Sequence, residues 1–139
     1  MAIEKTLVLL KPDAMERGIV GEILTMIEKK SFRITHLAIK NLTDEDLEYH
    51  YAEHKEKSFF PFLASYMKRG PVVVLVVEGE NAVKGFRKLT GATDPMEADM
   101  GSIRGRFALT KDENIVHASD STESAQREID FFVDNIKAL

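Results

Sequence analysis

Pro71-Val72-Val73-Val74-Leu75-Val76-Val77-Glu78-Gly79 is the stretch on which the fold turns. Residues 72–77 are all valine or leucine, so neither side of a strand built from them is suited to water. A run of that length, bounded by Pro71 and Gly79, predicts a central strand covered on both faces and therefore a layered sheet. Upstream, Thr6-Leu7-Val8-Leu9-Leu10 reads as a second buried strand. It stops at Lys11-Pro12, because proline cannot donate to a ladder. Ile19, Ile23 and Ile27 recur at i, i+4 and i+8 with Val20 and Leu24 beside them, the apolar stripe of a helix. Residues 34–40 form another strand pattern, with Leu37 and Ile39 on one face and Ile34, His36 and Ala38 on the other. Thr43 before Asp44-Glu45-Asp46 is an N-cap signature, and the helical pattern runs to Tyr51. A short helix over residues 59–67 ends at Gly70-Pro71.

Beyond the central strand, Asn81 caps a helix carrying Ala82, Val83, Phe86 and Leu89. Residues 90–114 read as loop, punctuated by Gly91, Gly101 and Gly105. Ile115-Val116 is a short strand. Asp120 with Glu123 resembles a capping box for a helix carrying Ala125, Ile129, Phe132, Val133 and Ile136. The order β-α-β-α-β-α-β-α fits either a parallel doubly wound sheet or a split β-α-β sheet, and periodicity does not choose between them.

The chain has 139 residues, room for a single domain over residues 1–139. Its apolar fraction of 44% with a net charge of −4 excludes a disordered chain. The absence of cysteine excludes a disulfide scaffold, a thiolate metal site and a cysteine nucleophile. The six-residue run 72–77 is far short of the roughly 20 residues a membrane helix needs. Met1-Ala2-Ile3-Glu4-Lys5 has no basic region followed by an apolar one, so a cytoplasmic location is expected. An acidic balance disfavours nucleic acid as partner, and any phosphate ligand must be held by a few locally placed cations.

Phosphate loops of the G-x-x-x-x-G-K-[ST] and G-x-G-x-x-G kinds are absent. Among the histidines, His36 fits a surface or core strand position. His50 and His54 at i, i+4 fit either an exposed helix face or a metal chelate. His117 follows a strand end and precedes a helix start, where backbone N–H groups favour an anion and keep an imidazole neutral. On position alone it fits a nucleophile and an ordinary polar loop residue equally. Lys11 at a strand end, Arg87 on a helix edge, and Arg104 between Gly101 and Gly105 are each unremarkable singly. Together they supply the local cationic site that the acidic balance demands.

The same positions carry a family resemblance. Thr6–Ala14, Tyr51-Ala52-Glu53-His54, Phe59-Phe60, Gly70-Pro71-Val72-Val73, Glu78-Gly79-Glu80-Asn81-Ala82-Val83, Gly91-Ala92-Thr93-Asp94-Pro95, Ile103-Arg104-Gly105 and Asn114-Ile115-Val116-His117-Ala118-Ser119-Asp120-Ser121 with Glu128 resemble a nucleoside diphosphate kinase along nearly the whole chain. The resemblance implies an α+β, ferredoxin-like (split β-α-β) four-stranded antiparallel sheet covered by helices. It implies transfer of the γ-phosphoryl group of a nucleoside triphosphate to a nucleoside diphosphate, ribo or deoxy, by a ping-pong mechanism through a phosphohistidine on His117. Glu128 would bond the other ring nitrogen, with Ser119 behind it and Tyr51 ordering the ring. Lys11 and Arg104 would meet phosphate oxygens, and Arg87 and Thr93 would hold the β-phosphate. Lys11 and Asn114 would reach the sugar hydroxyls, and Phe59, with Leu63 nearby, would stack on the base with low base specificity. Mg²⁺ would be carried by the nucleotide phosphates, with no metal held by the protein itself, and the assembly would be a homo-oligomer, a tetramer or hexamer. A binding module that had lost turnover would lack His117, Lys11 or Arg104, and all are present. Ala118 stands where the family usually has glycine, which requires ordinary backbone geometry there. Met100 stands where many members have proline, and Lys111-Asp112-Glu113 replaces a common Val-Gly-Arg.

Overall fold

The computed structural model describes residues 3–133. The elements are β1 (Ile3–Leu10), α1 (Pro12–Glu16), α2 (Val20–Lys29), β2 (Arg33–Lys40), α3 (Asp44–His50), α4 (Phe60–Met67), β3 (Val72–Glu80), α5 (Ala82–Thr90), α6 (Ile103–Phe107), β4 (Val116–Ala118) and α7 (Thr122–Phe132). The strands lie in the order β2-β3-β1-β4, and each pairing is antiparallel. The parallel doubly wound alternative is thereby removed, and the sheet is the split β-α-β arrangement. The α1–α2 crossover carries β2 past β1 and leaves a gap between them, which β3 fills.

β3 is the central strand its composition demanded. Val73, Leu75 and Val77 pack with Val8 and Leu10 of β1 against Ile23 and Ile27 of α2 and Phe86 of α5. Val72 and Val74 pack with Leu7 and Leu9 against Leu47 of α3, Met67 of α4 and Phe132 of α7. Each such side chain taken fully from water contributes about 1.5–3 kcal/mol, so the two clusters drive the layering.

Several local readings need correction. Residues 90–114 are not all loop, since they contain α6, and α1 follows the first strand where no element is predicted. At five residues each, these helices are too short to display an apolar stripe. The final helix is capped by Ser121, whose Oγ accepts from Ser124 N–H at 3.0 Å, one position later than the Asp120/Glu123 reading. Asn81 holds the N-cap position by adopting a left-handed backbone (φ 52°), which asparagine tolerates, and makes no side-chain cap. The capping acceptor comes instead from β1, where Glu4 Oε1 receives Val83 N–H at 3.1 Å. Thr43 caps α3 as expected, in a reciprocal box with Asp46. Ile136, assigned to the last apolar stripe, lies outside the described residues.

Candidate active site

β4 pairs with β1 so that His117 stands opposite Leu9. Strand alternation then sends Val116 and Ala118 into the α2/α5 side of the core and His117 to the α3/α7 side. There His117 Nε2 lies 3.0 Å from Glu128 Oε1 of α7. Ser119 Oγ donates to the same carboxylate oxygen at 2.7 Å, and it accepts Leu7 N–H at 3.2 Å. An oxygen that accepts from both partners assigns the proton to Nε2 and leaves the Nδ1 lone pair as the ring's nucleophilic position. At 5% exposure, Glu128 is buried beside the core residues of α7. That burial is tolerable because the carboxylate has both partners. Ala118 is absent from the positive-φ residues, in keeping with the geometry required of it.

The ring of His50, at the end of α3, stands edge-on to His117 with centroids 4.5 Å apart and planes at 85°. It also meets Tyr51 at 4.5 Å and Phe132 at 5.3 Å. Burial, and then the nearby His117, Lys11 and Arg127 charges, hold its pKa well below the ordinary histidine value. Neither of its ring nitrogens has a hydrogen-bond partner. The expectation that His50 and His54 share a helix face is not met, because α3 ends at His50 and residues 51–56 are turns.

The cations converge from the end of β1, from α5 and from α6. Lys11 is buried at the end of β1; its backbone N–H donates to Ile115 O at 2.7 Å, and its Nζ donates to Asn114 Oδ1 at 2.8 Å. Burial, reinforced by Arg104 and partly opposed by Asp13, lowers the Lys11 pKa to about 8. Arg104 donates to three backbone carbonyls, those of Asn114 (3.3 Å), Gly91 (3.0 Å) and Val116 (2.7 Å). Burial first and Arg87 second lower its pKa to about 10. Arg87 donates to Ala118 O at 3.0 Å. Carbonyls orient a guanidinium without neutralising it. Among the described residues, no salt bridge involves Lys11, Arg87 or Arg104. The cluster therefore keeps its positive charge for an incoming anion.

Backbone features hold this arrangement. Ile115 sits at φ +75°, rare for a β-branched residue, and Val116 N–H bonds Asn114 O at 2.8 Å across it. This strained γ-turn offers the Asn114 and Val116 carbonyls to Arg104 and the Asn114 side chain to Lys11. The glycines around Arg104 differ in kind. A Cβ on Gly105 would lie 1.9 Å from Asp99 O, whereas one on Gly101 would meet nothing within 4 Å. Gly105→Ala is expected to destabilise the protein by about 1–3 kcal/mol, and Gly101→Ala by far less; paired thermal unfolding curves check this. Glu113, one of the departures from the family pattern, ties its loop to the body through Arg69 at 2.8 Å, which also grips Glu16.

A cavity of about 500 Å³ opens onto this cluster. Of the residues singled out in the sequence, Lys11, Tyr51, Arg87, Thr93, Arg104, Asn114, His117 and Glu128 line it, with Ser119 directly behind Glu128. Phe59 and Leu63 do not line it. Phe59 is the 48% exposed N-cap of α4, its ring 5.5 Å from that of His54, and Leu63 packs against the α3/α4/α7 core. His50, Thr90 and Arg127 also line the cavity and had no assigned place there. For Arg127 the available signal was its place one residue before Glu128 within the helix predicted after Asp120.

Residues 4–137 match the family model described as nucleoside diphosphate kinase. The chain is 52% identical over 130 residues to the nucleoside diphosphate kinase of Streptomyces avermitilis, an alignment covering 93% of this chain and 95% of that one. It is 51% identical over 130 residues to that of Thermus thermophilus, covering 94% and 95%. The crystal structure of the Aquifex aeolicus nucleoside diphosphate kinase superposes with a TM-score of 0.90 at 45% identity, over 94% of each chain. That of Encephalitozoon cuniculi gives 0.91 at 34% identity, over 94% of this chain and 88% of that one. On these grounds, the chain belongs to the nucleoside diphosphate kinase family and is a phosphotransferase enzyme.

Proposed function

We propose that His117 is the group that carries the γ-phosphoryl from a nucleoside triphosphate to a nucleoside diphosphate. The observation that carries this reading is the Ser119–Glu128–His117 chain of hydrogen bonds at the mouth of a cationic cavity. In the first half-reaction the Nδ1–P bond forms as the bond from phosphorus to the β-phosphate oxygen breaks, and the diphosphate departs. The second half-reaction reverses these events with another diphosphate as acceptor, which gives ping-pong kinetics. Glu128 fixes the ring's tautomer and orientation. Arg104 and Lys11 meet the charge spread over the transferring oxygens, and Arg87 and Thr93 hold the β-phosphate. Tyr51, whose phenol is kept protonated by burial and then by the Glu128 charge, orders the His117 ring. Lys11 and Asn114, already paired at 2.8 Å, reach the sugar hydroxyls of ribo and deoxy nucleotides. Phe59, exposed at the start of α4, stacks on the base with Leu63 nearby, and stacking without base-edge hydrogen bonds gives low base specificity.

Mg²⁺ enters as part of the nucleotide substrate. The fit of the cavity supports this, because Glu128 is hydrogen-bonded by His117 and Ser119, Asp120 by Ser124 and Ser121, and the remaining acid on the cavity wall, Glu53, is a single exposed carboxylate. A hard cation needing an octahedron of oxygens is better supplied by phosphates and water. The working form is a homo-oligomer, a tetramer or hexamer. β2 is an open sheet edge carrying Leu37 and Ile39 at 57% and 59% exposure, a surface suited to another copy. Sedimentation at micromolar protein checks this. Among the described residues no helix is long and apolar enough to cross a membrane. The cysteine-free, acidic chain fits a cytoplasmic enzyme of free nucleotides, with no nucleic-acid partner.

Two expected outcomes test the roles. Glu128→Gln keeps the shape and removes the charge, and is expected to lower kcat by about 10–100-fold with little change in KM. Lys11 titrates near 8 in the free enzyme, so its charge, and with it phosphate binding, is lost as pH rises through that value. The dependence of kcat/KM on pH should fall above about 8, and Lys11→Arg should lack that limb. Stability moves the opposite way. The unfolded chain binds more protons between the folded and the ordinary lysine pKa, so unliganded stability gains from this group as pH rises from about 8 towards 10.5.

A further inference from the structure

The cavity holds a cluster that the phosphoryl reaction uses only in part. His50, His117 and Glu128 each present a ligand atom, and all of these lie within 4.8 Å of one another. The His117–Glu128 pair is already at 3.0 Å, close to the separation of neighbouring ligands on one tetrahedral ion with bonds of about 2.0–2.1 Å. His50 supplies what a fixed core histidine does not. It is 8% exposed, its ring is 4.5 Å from that of His117, and both of its nitrogens lack a partner. A buried imidazole that makes no hydrogen bond and faces another imidazole and a carboxylate has the chemistry of a metal ligand.

We propose that His50, His117 and Glu128 form a site for a borderline divalent ion such as Zn²⁺ or Co²⁺, which competes with phosphorylation of His117. Two imidazoles and one carboxylate make the ligand set of an open zinc site, with the fourth position facing the cavity and filled by water or a substrate oxygen. Mg²⁺ is not expected there, because it prefers an all-oxygen octahedron and binds imidazole poorly. The protein thus separates its metals by chemistry, the hard ion on nucleotide phosphates and the borderline ion on the histidines. The approach of Lys11 and Arg127 to His50 opposes a dication and keeps the affinity moderate, so that occupancy follows the free metal concentration. When bound at Nε2, the ion displaces the proton that His117 donates to Glu128; that proton moves to Nδ1, which thereby loses the lone pair that attacks phosphorus. The ring is then pinned and cannot attack phosphorus. The inhibitory consequence rests on the role of His117 proposed above, whereas the binding itself does not.

The test is a Co²⁺ titration of the nucleotide-free, full-length protein in its native oligomer, read by visible d–d absorption, with Zn²⁺ as competitor. One equivalent per chain with a tetrahedral spectrum, displaced by Zn²⁺, is expected. His50→Gln should weaken binding by at least about tenfold, and His117→Asn, at a more accessible position, should do so independently. Zn²⁺ should lower labelling of the protein by γ-labelled MgATP in proportion to occupancy, and chelation should restore it. The site is overturned if no tetrahedral band forms, or if correctly folded His50→Gln and His117→Asn proteins, judged by circular dichroism, bind as wild type does. Metal-free protein that never takes up label refutes His117 as acceptor, and the Co²⁺ spectrum still decides the site. Stoichiometric binding with undiminished labelling overturns the competition.

Discussion

His117→Ala is expected to lower phosphoryl transfer by at least about 10⁴-fold, because both half-reactions pass through the one ring nitrogen. Little else should change. The side chain's hydrogen bond is to Glu128, which keeps Ser119 as a partner after the substitution. The expected stability loss is that of one buried carboxylate deprived of a neighbour, about 1–3 kcal/mol. Steady-state transfer from ATP to a second nucleoside diphosphate, measured beside a thermal melt, separates lost chemistry from lost fold. A folded variant retaining activity within about tenfold of wild type would place the acceptor elsewhere.

Arg104→Ala is expected to cost about 10²–10³-fold in kcat/KM. The guanidinium does two things at once. It brings an un-neutralised charge to the cavity, and it staples the Gly91, Asn114 and Val116 carbonyls, drawing three segments together. Removing it frees those carbonyls but also relieves the cost of burying a cation, which the lowered pKa registers. The stability change should therefore be smaller than the kinetic one. Arg104→Lys discriminates the two contributions. An ammonium keeps the charge but cannot span three acceptors, so activity should stay below about a tenth of wild type. Near-complete rescue by lysine would show that charge alone suffices and that the fork geometry is dispensable.

Much of this was legible in the residues. The run 72–77 announced a doubly covered strand because no other environment accepts six consecutive apolar β-formers, and β3 is that strand. The isoleucine stripe of α2 and the Thr43 cap are local signals and appear where their spacing put them. Sheet order was not legible from pattern, because antiparallel and parallel pairing bury the same residues. The family resemblance supplied it, and the strand pairings agree. α6 was missed because Gly105 looked like a loop residue. The glycine is there because Asp99 O lies where a side chain would begin. The capping of α5 by Glu4 could not be read, since the acceptor is 79 residues away in the chain. At the site, His117, Glu128 and the cations were nameable one by one, but His50 was not placed beside His117. Helical spacing pointed it toward His54, and only the end of α3 turns it inward.

The central claim is that phosphoryl is held covalently on His117 between two nucleotides. Its most direct measurement is a rapid-quench labelling of purified protein with γ-labelled MgATP, followed by chase with an unlabelled nucleoside diphosphate and site mapping by mass spectrometry. The expected result is about one label per chain, stable in base and labile in acid, located on His117 and passed to the added diphosphate within a turnover. Label on another residue, or transfer between nucleotides with no label on the protein at any time, would contradict the account.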